Sequence, residues 1–375
     1  MSLISTSTTI RQHRFHLLDA LRGVAAILVV FHHAPPLFAA VQIKNAFLAV
    51  DFFFCLSGFV IAWSYDERLK AGLPPRQFFI MRLIRLFPLY LLGTLLAIVR
   101  SPLNPERMLT FHAVPLYYFA SIAMALFFVP NFLPLNSTSA LYPFNGPSWS
   151  LFYELVANML YATLLRWKLN RIIFPLTMFF SFAFLTYTAL HHESLEFGWF
   201  PREASQAFAR VGFSFPLGVY LARFFRRHGT VSKHSYTVAL ISIGALVLAL
   251  AVRTSWSMNS LFHLLFIAIL SPMIVLFAAR ASLPDAATSA CIVLGELSYP
   301  LYTLQVGLNL PRGGAMLAHF SPGRMHFLYC VYVALLSAIC WAAGTYFDEP
   351  VRKRISTFLR KPAALSSRGD TGASS

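Results

Sequence analysis

An apolar stretch near the start of the chain carries four ionisable side chains that could do chemistry. Residues 17–34 read LLDALRGVAAILVVFHHA and include Asp19, Arg22, His32 and His33. Each charge in a membrane helix costs roughly 2.5–3.5 kcal/mol on insertion scales, so a purely structural span would be expected to lack such side chains. On a helix, the eleven-residue spacing of Arg22 and His33 puts both on nearly one face, about 16 Å apart along the axis. The guanidinium suits anion binding, and the imidazole suits proton transfer or nucleophilic attack.

Two carboxylates from other apolar stretches are predicted to lie at the depth of His33. Asp51 enters the second stretch, and Glu154 lies about one and a half turns into the fifth. A carboxylate can hold the second nitrogen of an imidazole and stabilise its charged form. We therefore take His33, Asp51 and Glu154 as candidate catalytic residues, with a structural hydrogen bond as the alternative for each carboxylate.

A basic layer is predicted at the opposite membrane surface. Arg82 and Arg85 share a helix face because they are three residues apart, and they join Arg22 and its neighbour Asp19 at that depth. Planar guanidinium groups bind phosphate or carboxylate bidentately, so the layer is a candidate anion site. Arginines that only reach the membrane surface are the alternative.

The composition is that of a polytopic membrane protein. Of 375 residues, 57% are hydrophobic and 12% charged, with 37 Phe and a mean hydropathy of +0.63. The net charge of +16 comes from basic residues in short loops between apolar runs, which indicates positive-inside topology and anionic lipid, not nucleic acid. The four cysteines lie inside apolar runs without metal-ligand spacing, so we predict neither a disulfide framework nor a metal site.

The hydropathy pattern predicts an all-α membrane bundle in a single domain, 1–361, followed by a disordered cytoplasmic tail, 362–375. Eleven apolar stretches are candidates: 16–38, 45–64, 79–99, 111–132, 148–165, 172–190, 204–225, 235–252, 259–279, 288–310 and 326–347. Basic loops 65–77, 166–171, 226–234 and 352–361 should all face the cytoplasm. Three apolar stretches lie between loops 65–77 and 166–171, and an odd number of spans would put these two loops on opposite sides of the membrane. One of the three is therefore predicted not to cross, and 111–132 is the best candidate for a re-entrant or surface segment. About ten spans with both termini cytoplasmic remain; eleven true spans is the alternative.

An ordered set of motifs carries a family resemblance. LDALRGVAAILVVFHH, VDFFFCLSGFVI, RLIRLFPLY, PSWSLFYE, ELSYPLYTLQV and DEPVRKR, between residues 17 and 354, resemble the acyltransferase-3 family of membrane O-acyltransferases. The resemblance implies transfer of an acyl group, usually acetyl from cytoplasmic acetyl-CoA, to a hydroxyl of a glycan or other acceptor, often on the outer face. It also implies that His33 acts in transfer, with Arg22 and Asp19 needed beside it.

The resemblance has two departures. Gln305 stands where many relatives have a histidine, so that role does not carry over. Many relatives also have a C-terminal hydrolase-like domain; we expect none after the last stretch of this chain, so helices and short loops are expected to recognise the acceptor.

Together, the residues and the resemblance predict a mechanism in the bacterial cytoplasmic (inner) membrane. Acyl-CoA is a substrate, not a permanently bound cofactor, and its phosphates would meet the basic layer. The acceptor, a carbohydrate or lipid-linked molecule, would contact Trp149, Ser150 and Tyr153 at the outer rim. Membrane lipid is the other expected partner, and an oligomer is possible. A succinyl or other acyl donor, a small-molecule acceptor, and a transporter or flippase are the alternatives.

Overall fold

The computed structural model describes residues 14–34, 42–103, 114–132, 140–230, 232, 234–253, 256–308 and 322–366. Every regular element within these residues is a helix, which confirms the all-α class. The α-helices are α1 (His16–His32), α2 (Ala49–Lys70), α3 (Pro75–Val99), α4 (Pro115–Leu126), α5 (Ser148–Arg166), α6 (Asn170–His192), α7 (Ala204–His228), α8 (Ser235–Ala251), α9 (Trp256–Leu265), α10 (Ser271–Ala278), α11 (Asp285–Leu308), α12 (Pro322–Ala343) and α13 (Glu349–Ser366).

The helices follow the predicted apolar stretches closely. Single π-turns, Phe266–Leu270 and Gly344–Asp348, join α9 to α10 and α12 to α13. Among the described residues, five helices are long and apolar enough to cross a bilayer: Lys44–Lys70, Pro75–Val99, Asn170–His192, Met258–Ala278 and Gly323–Leu359. Of the tail predicted to be disordered, 362–366 continue α13, and 367–375 lie outside the described residues.

The segment predicted not to cross the membrane contains a short helix. At 12 residues, α4 is about 18 Å long, well below the roughly 30 Å of a bilayer core. The hydroxyl of Tyr90 on α3 donates to the carbonyl of Ala125 on α4. Just after α3, Arg100 donates to the Gly307 carbonyl near the end of α11. Just before α5, Asn145 donates to the Thr303 carbonyl, about one turn away on the same helix. The end of α3 and the start of α5 therefore lie at the same end of the bundle. The chain therefore leaves and re-enters the bundle on one side, as predicted.

Glycines allow the central helices to approach very closely. A Cβ on Gly58 of α2 would lie 2.0 Å from the Phe215 carbonyl oxygen of α7, and one on Gly218 of α7 would lie 1.9 Å from the Cys55 oxygen of α2. Small residues let membrane helices pack backbone to backbone. The α2–α7 pair is therefore a rigid centre against which the site residues are placed.

The four basic loops lie together at one end of the bundle, here called the basic end. Asp66 near the end of α2 is fully buried and accepts hydrogen bonds from Arg223 of α7, at 2.9 and 3.1 Å, and from Tyr161 near the end of α5. Arg352 of α13 reaches the same end, where it lines a cavity together with Arg14. We call the opposite end, where α1 finishes at His33, the histidine end.

Candidate active site

The close packing of α1 against α11 holds Arg22 in place. A Cβ on Gly295 would lie 2.6 Å from the Cβ of Asp19, so only glycine permits this approach. Arg22 Nε donates to Ser298 Oγ at 2.8 Å, and Nη2 donates to the Gly295 carbonyl at 3.0 Å and to Asp19 Oδ1 at 3.4 Å. Asp19 also accepts from Arg14 at 3.1 Å. Asp19 therefore orients Arg14 and Arg22 at the basic end. Its contact with Arg22 agrees with the family resemblance, which implied that Asp19 is needed beside Arg22.

Glu154 lies in the basic layer and not beside His33. Its Oε1 accepts from Ser57 Oγ at 2.6 Å and from Arg82 Nη2 at 3.2 Å. Both charged side chains are largely buried, with 16% of Glu154 and 12% of Arg82 exposed. The predicted placement of Glu154 at the depth of His33 is thus wrong, because its carboxylate meets Ser57, about two turns into α2, and Arg82 of the basic layer.

A cavity of about 1080 Å³ opens at the basic end and contains the predicted anion-binding residues. Its wall includes Arg22, Arg82 and Arg85. The Arg85 side chain is exposed within the cavity, and it makes no hydrogen bond or ion pair with the described residues. The cavity is also lined by basic residues that the sequence analysis did not assign to it: Arg14, Arg68, Arg352 and Lys353. Arg352 and Lys353 belong to the DEPVRKR motif, which could have identified them.

His33 caps the C-terminal end of α1 with one ring nitrogen left free. Nδ1 lies 2.9 Å from the Val29 carbonyl oxygen, so Nδ1 carries the proton in the neutral imidazole and Nε2 keeps its lone pair. Nε2 is buried and has no hydrogen-bond partner among the described residues. The Gln305 side chain lies beside the same imidazole, and its Oε1 is also buried without a partner.

The cavity ends about one helical turn short of His33. Its innermost wall includes Phe53, Ser150 and Tyr302 but not His33. Ser150 Oγ and the Tyr302 hydroxyl are 2.6 Å apart, and Gln305 follows Tyr302 on α11 by three residues, or about 4.5 Å. The Ser150–Tyr302 hydrogen bond is therefore the part of this cavity wall that is nearest along α11 to Gln305.

Trp149 and Tyr153 are packed in the protein interior, contrary to the predicted position at the outer rim. They are 3% and 0% exposed. The guanidinium carbon of Arg210 lies 5.4 Å from the centroid of the Trp149 ring. The ring centroids of Tyr153 and Phe208 are 4.7 Å apart. These aromatic faces are already covered by protein, so neither presents a surface to an acceptor at the rim, and Ser150, 5% exposed, lines the cavity instead.

Asp51 forms a buried ion pair and does not contact His33. Arg210 of α7 donates through Nη2 to Asp51 Oδ2 at 2.7 Å and through Nε to both carboxylate oxygens at 3.1 and 3.2 Å. The same guanidinium donates to the Phe197 carbonyl at 2.7 Å and to the Phe47 carbonyl at 3.1 Å. The expected contact of Asp51 with the imidazole is therefore wrong: its carboxylate positions Arg210, which anchors two backbone segments at the histidine end.

The carboxylate nearest the histidines was not among the predicted residues. Glu196 Oε1 lies 3.1 Å from His32 Nε2, and the Trp199 ring meets His33 edge-on at 5.5 Å. Both belong to the connection between α6 and α7, whose short sequence has no motif that marks it as functional. Within the described residues, no group of His, Cys, Asp or Glu could hold a metal ion.

Comparison with known proteins gives a family and a relative. The acyltransferase-3 family model, described as an acyltransferase domain, matches residues 15–345. "Protein 2 in picA locus" of Rhizobium radiobacter is 37% identical over 165 residues, which cover 41% of this chain and 82% of that protein. No solved structure is significantly similar to the chain. The family match includes α1, all of α11 and the cavity helices other than α13, which begins after the match ends.

Proposed function

Since the chain belongs to the acyltransferase-3 family, we propose that this membrane acyltransferase moves an acyl group, in the first instance acetyl, from acyl-CoA to a hydroxyl of a carbohydrate acceptor. The donor enters at the basic end, which faces the cytoplasm together with both termini, as expected from its excess of Lys and Arg. The acceptor is bound at the histidine end. The membrane is the bacterial inner membrane, where cytoplasmic acyl-CoA and outward-facing glycans are separated by a single bilayer.

The free Nε2 of His33 is the observation that carries this proposal. A buried imidazole with Nδ1 fixed by a carbonyl has Nε2 available as a base or nucleophile. As base, Nε2 takes the proton of the acceptor hydroxyl while the hydroxyl oxygen attacks the thioester carbon. The C–S bond then breaks, an ester forms, and the CoA thiolate receives the proton. As nucleophile, Nε2 would attack the thioester carbon and the C–S bond would break, which releases the CoA thiolate and leaves the acyl group on the imidazole. The acceptor hydroxyl would then attack this acyl group, the bond to Nε2 would break as the ester forms, and the hydroxyl proton would pass to the thiolate.

The basic cavity supports the donor half of the proposal. CoA is anionic at its nucleotide end, and guanidinium groups bind phosphate through paired charge-assisted hydrogen bonds. Arg85, exposed in the cavity and without a partner among the described residues, is available for such a contact. The long pantetheine arm would extend from there to Tyr302. Displacement of the Ser150–Tyr302 hydrogen bond would bring the thioester to His33.

The experiment is product analysis in cells that carry single-residue variants. Surface glycans and lipids are compared by mass spectrometry for the wild type, His33→Ala and the control His228→Ala, whose histidine is exposed at the end of α7. The mass increase due to an acetyl group should be present in glycans or lipids from the wild type and the control and absent from those of His33→Ala. Retention of the increment in His33→Ala at comparable protein level refutes the role of His33, and a different acyl mass would change the donor.

A further inference from the structure

We infer that the acceptor is bound by Glu196, His32 and Trp199 beside His33, in a subsite for a ligand with several neighbouring hydroxyls, such as a sugar. This inference rests on the proposed function and assigns it an acceptor site. The three residues, here called the Glu196 subsite, replace the buried Trp149 and Tyr153 as the acceptor contacts.

Glu196 offers a fixed and accessible carboxylate. Its side chain is 45% exposed, whereas that of His32 is 14% exposed. His32 Nδ1 lies 3.1 Å from the Ile43 carbonyl oxygen, and Nε2 lies 3.1 Å from Glu196 Oε1. Both ring nitrogens of His32 therefore face oxygen atoms, which holds the imidazole beside Glu196. The second carboxylate oxygen of Glu196 accepts no hydrogen bond from the described residues, so it is free to accept from ligand hydroxyls.

Trp199 is held rigidly with part of its ring accessible. Its backbone N–H donates to Glu203 Oε2 at 3.1 Å, and its carbonyl accepts from the Leu141 N–H at 2.8 Å. The ring packs over Gly146, where a Cβ would approach to 2.5 Å. The half-buried indole contacts His33 at its edge. Its remaining apolar surface suits the C–H face of a sugar ring.

The backbone between these side chains is fixed at several points. Arg210 Nη1 donates to the Phe197 carbonyl at 2.7 Å, and Glu203 also accepts from the Gly198 N–H at 2.8 Å. Glu196 and Trp199 therefore keep their positions relative to the α1 histidines without ordering on binding. Preorganisation of this kind reduces the entropic cost of holding a ligand.

The arrangement places the ligand next to the proposed catalytic imidazole. The rings of His32 and His33 are 5.1 Å apart, so a ligand whose hydroxyls meet Glu196 lies one imidazole ring from His33, whose Nε2 is buried. An exposed carboxylate repels phosphate and sulfate, which argues against an anionic ligand at this position. Neutral neighbouring hydroxyls satisfy both the carboxylate and the imidazole.

The test measures acceptor dependence with purified enzyme. CoA thiol release from acetyl-CoA is followed against polysaccharide extracted from a strain that lacks the gene. Glu196→Gln and Trp199→Phe are compared with Glu193→Gln, an exposed carboxylate of the same connection. The subsite variants should raise the apparent KM for polysaccharide by about tenfold, the effect of one lost charged contact, and leave the KM for acetyl-CoA unchanged. Glu193→Gln should match the wild type.

The two proposals fail in different ways. If Glu196→Gln and Glu193→Gln share the wild-type polysaccharide KM, the Glu196 subsite is wrong while carbohydrate acylation stands. If the variants raise the KM for acetyl-CoA instead, the residues belong to the donor route and the subsite is also wrong. If the wild-type enzyme acylates no component of the extract, the proposed function fails and the subsite fails with it.

Discussion

The Asp51–Arg210 pair should contribute more to stability than to chemistry, and replacement of Arg210 by Met measures this. The Arg210 side chain is 2% exposed and that of Asp51 is 1% exposed, so Arg210→Met leaves a buried carboxylate without its partner. Breaking such a pair costs about 3–5 kcal/mol. The Phe197 and Phe47 carbonyls also lose a donor, which argues for the upper part of this range. At about 2 °C per kcal/mol for a chain of this size, the melting temperature should fall by about 8–10 °C.

The assay is thermal unfolding of detergent-purified protein, followed by intrinsic fluorescence. Arg202→Met is the matched control, because Arg202 is exposed and stacks on Phe200 in the same connection; its melting temperature should stay within about 2 °C of the wild type. The double variant Asp51→Leu with Arg210→Met should recover part of the loss, since no buried charge remains. A melting temperature for Arg210→Met equal to that of Arg202→Met would refute the anchoring role.

Three further changes test the packing and the basic layer. Gly218→Ala should lower the melting temperature, since overpacking costs about 1–3 kcal/mol. Gly244→Ala should not, because no atom lies within 4 Å of the new Cβ. Equal melting temperatures for the two variants would contradict the close approach of α2 and α7. Glu154→Gln should mainly raise the acyl-CoA KM and lower kcat by less than about tenfold; a loss near 10⁴-fold, as for a carboxylate that orients a catalytic imidazole, would contradict its placement in the cavity. Arg85→Gln should raise the acyl-CoA KM about tenfold, and the exposed Arg171→Gln should not, as initial rates against acyl-CoA concentration will show.

The positions of the helices could be predicted from sequence because hydropathy depends on local composition. The apolar stretches correspond to helices along the described chain, and in the stretch that loop charge singled out, 111–132, the structure has the short helix α4. The shared helix face of Arg22 and His33 could also be predicted, since the 3.6-residue repeat fixes which side chains of one helix lie on the same face. These inferences need no knowledge of the neighbouring helices.

The partners of the carboxylates could not be predicted, because they depend on how each helix is rotated about its own axis. Depth along the membrane normal was the only coordinate available for Asp51 and Glu154, and it does not say which neighbour a side chain faces. The rotation of α5 and the glycine contacts of α2 with α7 decide that Glu154 meets Ser57 and that Asp51 meets Arg210. Glu196 and Trp199 were missed for a related reason: a connecting segment has no periodicity from which to infer a contact.

The parallel course of α1 and α11 explains how one compact bundle could serve substrates from both sides of a membrane. Arg22 contacts Ser298 at the basic end, and Gln305 lies beside His33 at the other. Seven residues of α11, about 10 Å, therefore separate the two levels, and the cavity already extends along this stretch to Tyr302. About one turn of α11 separates Tyr302 from Gln305. Under the proposed function, local displacement of the Ser150–Tyr302 hydrogen bond would join the proposed donor and acceptor sites without the rocking of two halves by which transporters alternate access.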